Sequence, residues 1–325
     1  MVTHGRMTPL VTGVRHARHS EVGGALPQQG HSASQCRSSR DLKQMSSRPP
    51  LTDAHGHLQA DRFDVDRDEV IARLRAAGMT RLLIPSWSVA SSQGAVEIAR
   101  EHDWMDAAIG IHPHHATDEA SQRSALLARA AEPEIVAIGE TGIDTKRNYA
   151  PLIDQIANFE AHIEVAVQLG KPLILHCRSA GEGDDAQRQL IKTLRESPIG
   201  APGGAAAFGG RAPFILHSAS GSQGYIEDGL ALGGLVSISG LAFRPEEGAT
   251  AEWIRAVPAD RLLTETDAPW LAMPGAPDPS RNEPANVAHT LAWVAARRGE
   301  VVGDLAASIS ATYDRAFPRH RPRSA

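Results

Sequence analysis

The sequence has little of what marks secreted or membrane proteins. Only two cysteines, Cys36 and Cys177, occur among its 325 residues, which argues against a disulfide framework and favours a reducing, cytoplasmic location. No apolar run approaches the about 18–20 residues that span a bilayer, and residues 1–30 lack the apolar core of a secretory signal. With 42% hydrophobic residues and 4% aromatics, the composition is that of a soluble globular protein with no membrane partner.

Charge is unevenly distributed along the chain. Residues 1–50 hold seven Lys or Arg and two Asp or Glu, whereas the remainder holds 26 and 36. An acidic body argues against broad attraction to nucleic acid, although a local cleft could be basic. Residues 1–50 also lack periodic apolar positions, so we expect a disordered extension. It is either a basic arm or organelle address, or the product of a start placed too far upstream; we favour the latter, with Met45 as the start.

From Leu51 onward, short apolar runs alternate with amphipathic stretches. Helical patterns such as Asp66–Ala77 and Pro151–Leu169 end before glycines, as helices commonly do. The apolar runs have the length and composition of strands buried on both faces. They are Leu51–Ala54, Arg81–Pro85, Ala107–Ile111, Ile135–Gly139, Pro172–His176, Pro213–His217, Leu235–Ser239 and Arg261–Thr264.

Eight strands in βα alternation predict an α/β fold, a (β/α)8 barrel of the TIM type, while a doubly wound open sheet stays possible. The segment Ile199–Pro213 is rich in Pro, Gly and Ala and reads as a long loop before the sixth strand. Two helices, about Pro284–Arg298 and Asp304–Phe317, are expected to close the chain. We therefore predict a barrel over residues 51–318 and a tail over 319–325.

Polar residues cluster at the C-terminal ends of these runs, where a barrel's loops build active sites. The residues concerned are His55, His57, His112, His114, Glu140, His176, His217 and Asp267. In His-x-His on an extended strand, both side chains point to the same side. Imidazoles joined there by carboxylates from other strands form a site for Zn, Mn or Mg.

The residue types suggest a division of roles. Glu140, a buried carboxylate between ligand groups, could bridge two ions with its two oxygens. Asp267 could bind metal and also accept the proton of an attacking water. We predict two divalent ions at the C-terminal rim, held by His55, His57, Glu140, His176, His217 and Asp267, with Glu140 and Asp267 as catalytic residues.

Other rim residues allow two interpretations each. His112 either contacts a substrate phosphate or leaving group or is structural, and we assign it to substrate binding. Arg178 either holds a phosphate with its planar guanidinium or forms a surface salt bridge; we assign it to the substrate as well. Asp53 is either a partner of a ligand histidine or a satisfied strand residue. Cys177 lacks a separate base, and Ser218–Ser222 lacks the Gly-x-Ser-x-Gly elbow, so nucleophilic catalysis is not supported.

At these residues the sequence resembles the TatD family of metal-dependent hydrolases and deoxyribonucleases. The resemblance runs from Leu51 to about Phe317 and is carried by seven blocks in order: DAHGHL at Asp53, GIHPHH at Gly110, GETGID at Gly139, PLILHCRSA at Pro172, HSASGS at His217, ETDAPWL at Glu265 and RNEPANV at Arg281. It implies a barrel, a two-ion site and hydrolysis of phosphodiester bonds at DNA ends. By the family pattern His55, His57 and Asp267 hold one ion, His176 and His217 hold the second, and Glu140 bridges.

The sequence departs from this pattern where aromatic residues are common. Thr145 follows Asp144, and Ser218-Ala219 follows His217, where the family favours an aromatic and a Cys-Phe pair. We therefore expect a substrate mouth without these stacking surfaces for bases. The leading hypothesis is a metal-dependent, exonuclease-type deoxyribonuclease with DNA or another phosphodiester as substrate. The alternative is an amidohydrolase acting on a C–N or ester bond. A non-catalytic metal scaffold fits poorly, because structural metal sites are normally closed.

Overall fold

Eight parallel strands lie side by side in the order in which the chain makes them. The computed structural model describes residues 49–181, 183–274, 276 and 278–317. The predicted extension, apart from Pro49 and Pro50, and the predicted tail lie outside the described residues. The strands are β1 (Leu51–Asp53), β2 (Met79–Pro85), β3 (Met105–Ile109), β4 (Ile135–Asp144), β5 (Leu173–Arg178), β6 (Phe214–Leu216), β7 (Leu235–Ile238) and β8 (Leu262–Thr264).

Backbone hydrogen bonds join the last strand to the first. Ala54 N donates to Thr264 O over 3.0 Å, and beyond the strand ends Asp267 N donates to His55 O over 2.8 Å. The sheet therefore forms a nearly closed (β/α)8 barrel, which confirms the predicted fold class over the open-sheet alternative.

Helices alternate with the strands. They are α1 (Arg67–Ala77), α2 (Val89–Glu101), α3 (Arg123–Ala128), α4 (Leu152–Leu169), α5 (Asp185–Glu196), α6 (Gln223–Ala231), α7 (Gly248–Trp253), α8 (Val287–Arg298) and α9 (Val302–Ala316). Single 3₁₀ turns occur at Asp61–Phe63, Pro113–His115, Arg129–Ala131, Gly204–Phe208, Gly240–Phe243, Pro245–Glu247, Ala259–Arg261 and Pro284–Asn286. Helices α1 and α4 end at Gly78 and Gly170 in the left-handed conformation, as the sequence predicts. Within the described residues, no helix combines the length and apolarity needed to cross a membrane.

The apolar runs form the core because both faces of the sheet are covered. Leu82, Leu83 and Ile84 are consecutive in β2, and all three are fully buried. Since successive side chains point to opposite faces, alternate side chains of this run face the barrel interior and the helices. The predicted loop before β6 also contributes: Phe208, in its 3₁₀ turn, is fully buried.

Strand β4 is longer than its apolar run. The sequence predicts a strand that ends at Gly139, but the structure continues it to Asp144, and Gly142 pairs with His176 in the register with β5. The backbone reaches this register through an irregularity between Ile138 and Thr141, with Gly139 at φ +142° and Gly142 at φ +133°. At both positions a Cβ would collide with the β5 backbone, so only glycine fits. Glu140 therefore lies within the strand and not after it.

Helix α4 holds the segment that follows β3 through a buried histidine. His162 is fully buried; its Nε2 accepts a hydrogen bond from Ile111 N (3.0 Å), and its Nδ1 donates to Asn158 O (2.7 Å). Burial lowers the pKa of His162 to about 4, so the ring is neutral and both nitrogens are satisfied. This pair of bonds fixes the chain immediately before His112.

Candidate metal centre

The first group of predicted ligands converges where β1 meets β8. The Nε2 atoms of His55 and His57 lie 3.0 Å apart. Asp267 Oδ1 lies 3.3 Å from the His57 nitrogen and 3.7 Å from that of His55. Two nitrogens bound to one ion at about 2.0–2.1 Å would be roughly 3 Å or slightly more apart. The three side chains thus have the spacing of ligands to a single cation.

Backbone contacts hold this group in place. His57 Nδ1 lies 2.9 Å from Pro85 O; a carbonyl only accepts, so Nδ1 carries the proton and Nε2 presents its lone pair to the site. Asp267 has a left-handed backbone, with φ +56°. Asp53 accepts hydrogen bonds from His55 N (3.1 Å), Thr266 N (3.0 Å) and the Thr266 hydroxyl (2.6 Å). These contacts favour the second interpretation of Asp53, a satisfied strand residue, and they join the segments after β1 and β8.

The second group contains Glu140, His176 and His217, whose ligand atoms lie within 4.8 Å of one another. His217 also stacks on His55, with ring centroids 3.5 Å apart and planes at 17°. This contact places the second group directly beside the first. All six predicted ligands are thus neighbours in one site at the C-terminal rim.

Glu140 divides its two oxygens between the groups. Its Oε2 lies 3.4 Å from His55 Nε2 and 3.8 Å from His57 Nε2. Its Oε1 lies 3.1 Å from His176 Nδ1 and 3.6 Å from His217 Nε2. A carboxylate shared by two ions has this arrangement, with one oxygen directed to each. The donor set of imidazoles and carboxylates fits divalent ions such as Zn, Mn or Mg.

Two carboxylates that the sequence analysis did not assign support the second group. Asp144 Oδ2 lies 3.1 Å from His176 Nε2 and 2.7 Å from His114 Nε2. Glu265 Oε1 lies 2.7 Å from His217 Nδ1. Carboxylates on the far nitrogen of a ligand histidine orient its ring and increase its basicity. Simple alternation does not identify them, because Gly142 at φ +133° lies between Glu140 and Asp144, and Asp267 at φ +56° departs from an extended backbone.

The carboxylates and histidines of this site shift one another's pKa values. Burial alone would raise the pKa of Glu140, but His112, His217 and His55 hold it well below its usual value. Burial would likewise lower the pKa of His217, but Glu265 and Glu140 raise it to about 10. The surroundings of His217 therefore favour positive charge, which a proton or a metal cation supplies.

The two predicted substrate residues both line the mouth of this site. The Nδ1 atom of His112 accepts a hydrogen bond from His114 N, and the Nε2 atom of His112 lies 3.6 Å from Glu140 Oε1. Burial, with the nearby His176, holds the pKa of His112 well below its usual value, so the ring is neutral and carries its proton on Nε2. Arg178 donates to Glu247 Oε1 over 2.7 Å. It therefore forms a salt bridge and also lines the mouth.

The mouth is a cavity of about 430 Å³ lined in part by the candidate ligands. Four basic side chains line it: Lys146, Arg147, Arg178 and Arg244. Two tryptophans, Trp87 and Trp270, line it as well. The mouth therefore lacks aromatic side chains at Thr145 and Ala219, as expected, but aromatic side chains that the sequence did not predict reach it from the loops after β2 and β8. The volume lies in the range for small organic ligands.

Comparison with known proteins places the chain among metal-dependent nucleases and their homologues. A family model described as TatD related DNase matches residues 52–318. The 3'-5' ssDNA/RNA exonuclease TatD of Erwinia tasmaniensis is 37% identical over 267 residues, 80% of this chain and 97% of the relative. A TatD homologue from Escherichia coli K12 has a TM-score of 0.72 at 22% identity over 82% of this chain and 97% of its own. A TatD family hydrolase from Entamoeba histolytica has a TM-score of 0.71 at 17% identity over 83% and 98%. At these identities the two structures show the fold alone.

Proposed function

Because the chain belongs to the family of TatD-related DNases, we propose that it is a metal-dependent nuclease that removes nucleotides from the 3' end of single-stranded DNA or RNA. The observation that carries the proposal is Glu140, whose two oxygens face two separate sets of imidazoles. A site with a shared carboxylate and an open mouth suits hydrolysis of an anionic ester better than a structural role. The name of the Erwinia relative supports the substrate and the polarity.

In this proposal the predicted ligands hold two divalent ions. His55, His57 and Asp267 would hold one, His176 and His217 the other, and Glu140 would join them. Bound ions of this kind neutralise charge on a phosphoryl group and promote ionisation of a water molecule near neutral pH.

The protein's own side chains would do the rest. Asp267, whose carboxylate faces the cavity beside His57, accepts the proton of the attacking water. His112, neutral and protonated on Nε2, donates a hydrogen bond to a phosphate oxygen or the leaving group. Arg178 and the exposed Lys146 and Arg147 contact the phosphates of the remaining strand. The basic mouth explains how a chain of net charge −5 could bind a polyanion.

The proposal is tested with single-stranded oligonucleotides labelled at either end, incubated with the purified chain and Mn²⁺ or Mg²⁺. We expect shortening from the 3' end. Glu140→Ala should reduce kcat/KM by about 1,000-fold, equivalent to about 4 kcal/mol of transition-state stabilisation. Glu134→Ala, which removes a buried glutamate just before the opposite end of β4, is the matched control and should retain activity.

Two outcomes would contradict this function. Full activity of Glu140→Ala would exclude the shared-carboxylate site. Turnover of amides or esters by the metal-loaded chain, without cleavage of any nucleic acid, would replace the nuclease with the amidohydrolase alternative. Metal content measured on the same samples shows whether the site was loaded.

A further inference from the structure

Two indole rings form one wall of the cavity beside the first ligand group. Trp87 and Trp270 contact each other at right angles, with ring centroids 5.7 Å apart and planes at 86°. His57 contacts both, with centroids 5.2 Å from Trp87 and 4.9 Å from Trp270. Trp87 is partly buried, whereas Trp270 is 40% exposed. An exposed indole therefore stands directly beside a predicted metal ligand.

The backbone that carries Trp270 is fixed. Trp270 N donates to Asp267 O over 2.9 Å, which closes a tight turn after the ligand. Asn282 is fully buried and donates through Nδ2 to Thr266 O (3.0 Å) and Leu271 O (3.4 Å), on both sides of that turn. The backbone of Trp270 is thus held relative to Asp267, and the ring contacts His57 and Trp87. A rigid aromatic surface loses little entropy when a ligand stacks on it.

Trp87 is fixed in the same way. Its N donates to Ser91 Oγ over 2.9 Å, and its O accepts from His112 N over 3.0 Å. Two residues earlier, Pro85 O holds the ring of His57. Trp87 therefore lies on the same backbone segment that orients the candidate ligand His57.

Cationic side chains of the cavity lie across the barrel from these rings. Trp87 follows β2 and Trp270 follows β8, the two strands next to β1. Lys146 follows β4 and Arg178 ends β5, and in an eight-stranded barrel these strands lie across from β8 and β1. The cavity thus offers an aromatic wall on one side, Lys146 and Arg178 on the other and the candidate carboxylate and imidazole ligands between them, while the remaining cation Arg244 follows β7, next to β8. A nucleotide has the matching parts: a planar base, a phosphate at the centre and a charged strand beyond it.

We propose that Trp270, supported edge-on by Trp87, is a stacking platform for the base of the nucleotide that is removed. The inference rests on the proposed nuclease function and specifies how the strand end binds. Stacking on an indole does not depend on base identity, because every base has an aromatic face. The enzyme therefore recognises that a base is present at the terminus and accepts any base there.

The test compares two single-stranded DNA oligonucleotides of equal length. One ends in a 3' thymidine, and the other ends in a 3' tetrahydrofuran residue that lacks the base. For the wild-type chain we expect KM for removal of the terminal residue to be about 5- to 150-fold higher without the base, with a similar kcat. Trp270→Ala should raise KM for the thymidine end to that of the abasic end, and leave KM for the abasic end unchanged.

Control variants separate stacking from folding. Trp293→Ala removes an indole from α8, outside the cavity lining, and should keep the wild-type ratio of the two KM values. Trp270→Phe should keep most of the ratio, and Trp270→Leu, which keeps apolar bulk without an aromatic face, should lose it. The Phe and Leu variants decide the question if the alanine variant does not fold.

The outcomes distinguish this inference from the function on which it rests. Cleavage of both oligonucleotides with equal KM by the wild-type chain would overturn the stacking platform and leave the nuclease intact. A ratio that survives in Trp270→Leu would do the same. Cleavage of neither oligonucleotide would overturn the nuclease itself.

Discussion

Asp144 offers the sharpest test of how the second group of ligands is built. Its carboxylate is buried, and one oxygen lies 3.1 Å from His176 Nε2, on the opposite side of the ring from Glu140. Asp144→Asn preserves the shape of the side chain and the oxygen that accepts from Arg147 N. It replaces a full negative charge near His176 with a neutral amide. We expect the variant to bind one divalent ion more weakly and the other normally.

The magnitude follows from the contact. Loss of an outer carboxylate from a ligand histidine typically costs 10- to 100-fold in metal affinity, and each tenfold step is about 1.36 kcal/mol. The expected loss is therefore about 1.4–2.7 kcal/mol, confined to the ion that His176 would hold. His55, His57 and Asp267 do not contact Asp144 through any hydrogen bond or ion pair among the described residues, so the ion that these three residues would hold should retain its affinity.

The assay is calorimetric titration of the chelator-treated chain with Mn²⁺, resolved into two binding steps. Asp106→Asn is the matched control, because it makes the same chemical change in a buried carboxylate that contacts Tyr313 and lies outside the mouth. Denaturant unfolding of both variants shows whether the fold persists. Mn²⁺ affinity within twofold of wild type in a folded Asp144→Asn variant would refute the supporting role of this carboxylate.

Three further outcomes are expected. The pKa of His162 is about 4 in the folded chain against an ordinary value of 6.5, so its contribution to stability is complete above pH 6.5 and is lost as pH falls toward 4. Urea unfolding should therefore give a free energy of unfolding about 2 kcal/mol lower at pH 5 than at pH 8. His162→Gln should reduce this difference between the two pH values. Gly142→Ala should destabilise the fold by on the order of 3 kcal/mol, because the new Cβ meets His176 O at positive φ; unchanged stability would contradict the close approach of β4 and β5. Asn282→Ala should cost about 1–3 kcal/mol through the backbone carbonyls that it leaves unpaired, and a free energy of unfolding equal to that of wild type would contradict the brace.

The strand count and the convergence of the candidate ligands at one rim could be predicted from the sequence because both depend on local patterns. Apolar runs buried on two faces are visible in one dimension, and in a parallel barrel polar residues at their ends meet at one rim. The extension of β4 could not be predicted in this way. It depends on Gly139 and Gly142, whose backbone conformations place Asp144 beside His176 only in the register that β5 imposes.

The aromatic wall escaped prediction for a different reason. Trp87 and Trp270 are 183 residues apart and become neighbours only because the barrel closes β8 onto β1 next to β2. No local pattern distinguishes such residues from core tryptophans. In the family that the sequence resembles, aromatic residues are common at the positions of Thr145 and Ala219, whereas in this structure the aromatic surfaces come from other loops.

The candidate ligands and the side chains that line the mouth occupy different parts of the barrel, and this difference affects how the substrate preference of the site can change. Glu140 and His176 lie within strands, and backbone hydrogen bonds between the segments after β1 and β8 hold His55, His57 and Asp267. Lys146 and Arg244, by contrast, lie in the connections that follow β4 and β7, where insertions and substitutions are tolerated best. Exchange of these connections would alter which ester enters the mouth without moving the ligands, so the barrel is a ready starting point for engineering new substrate preferences.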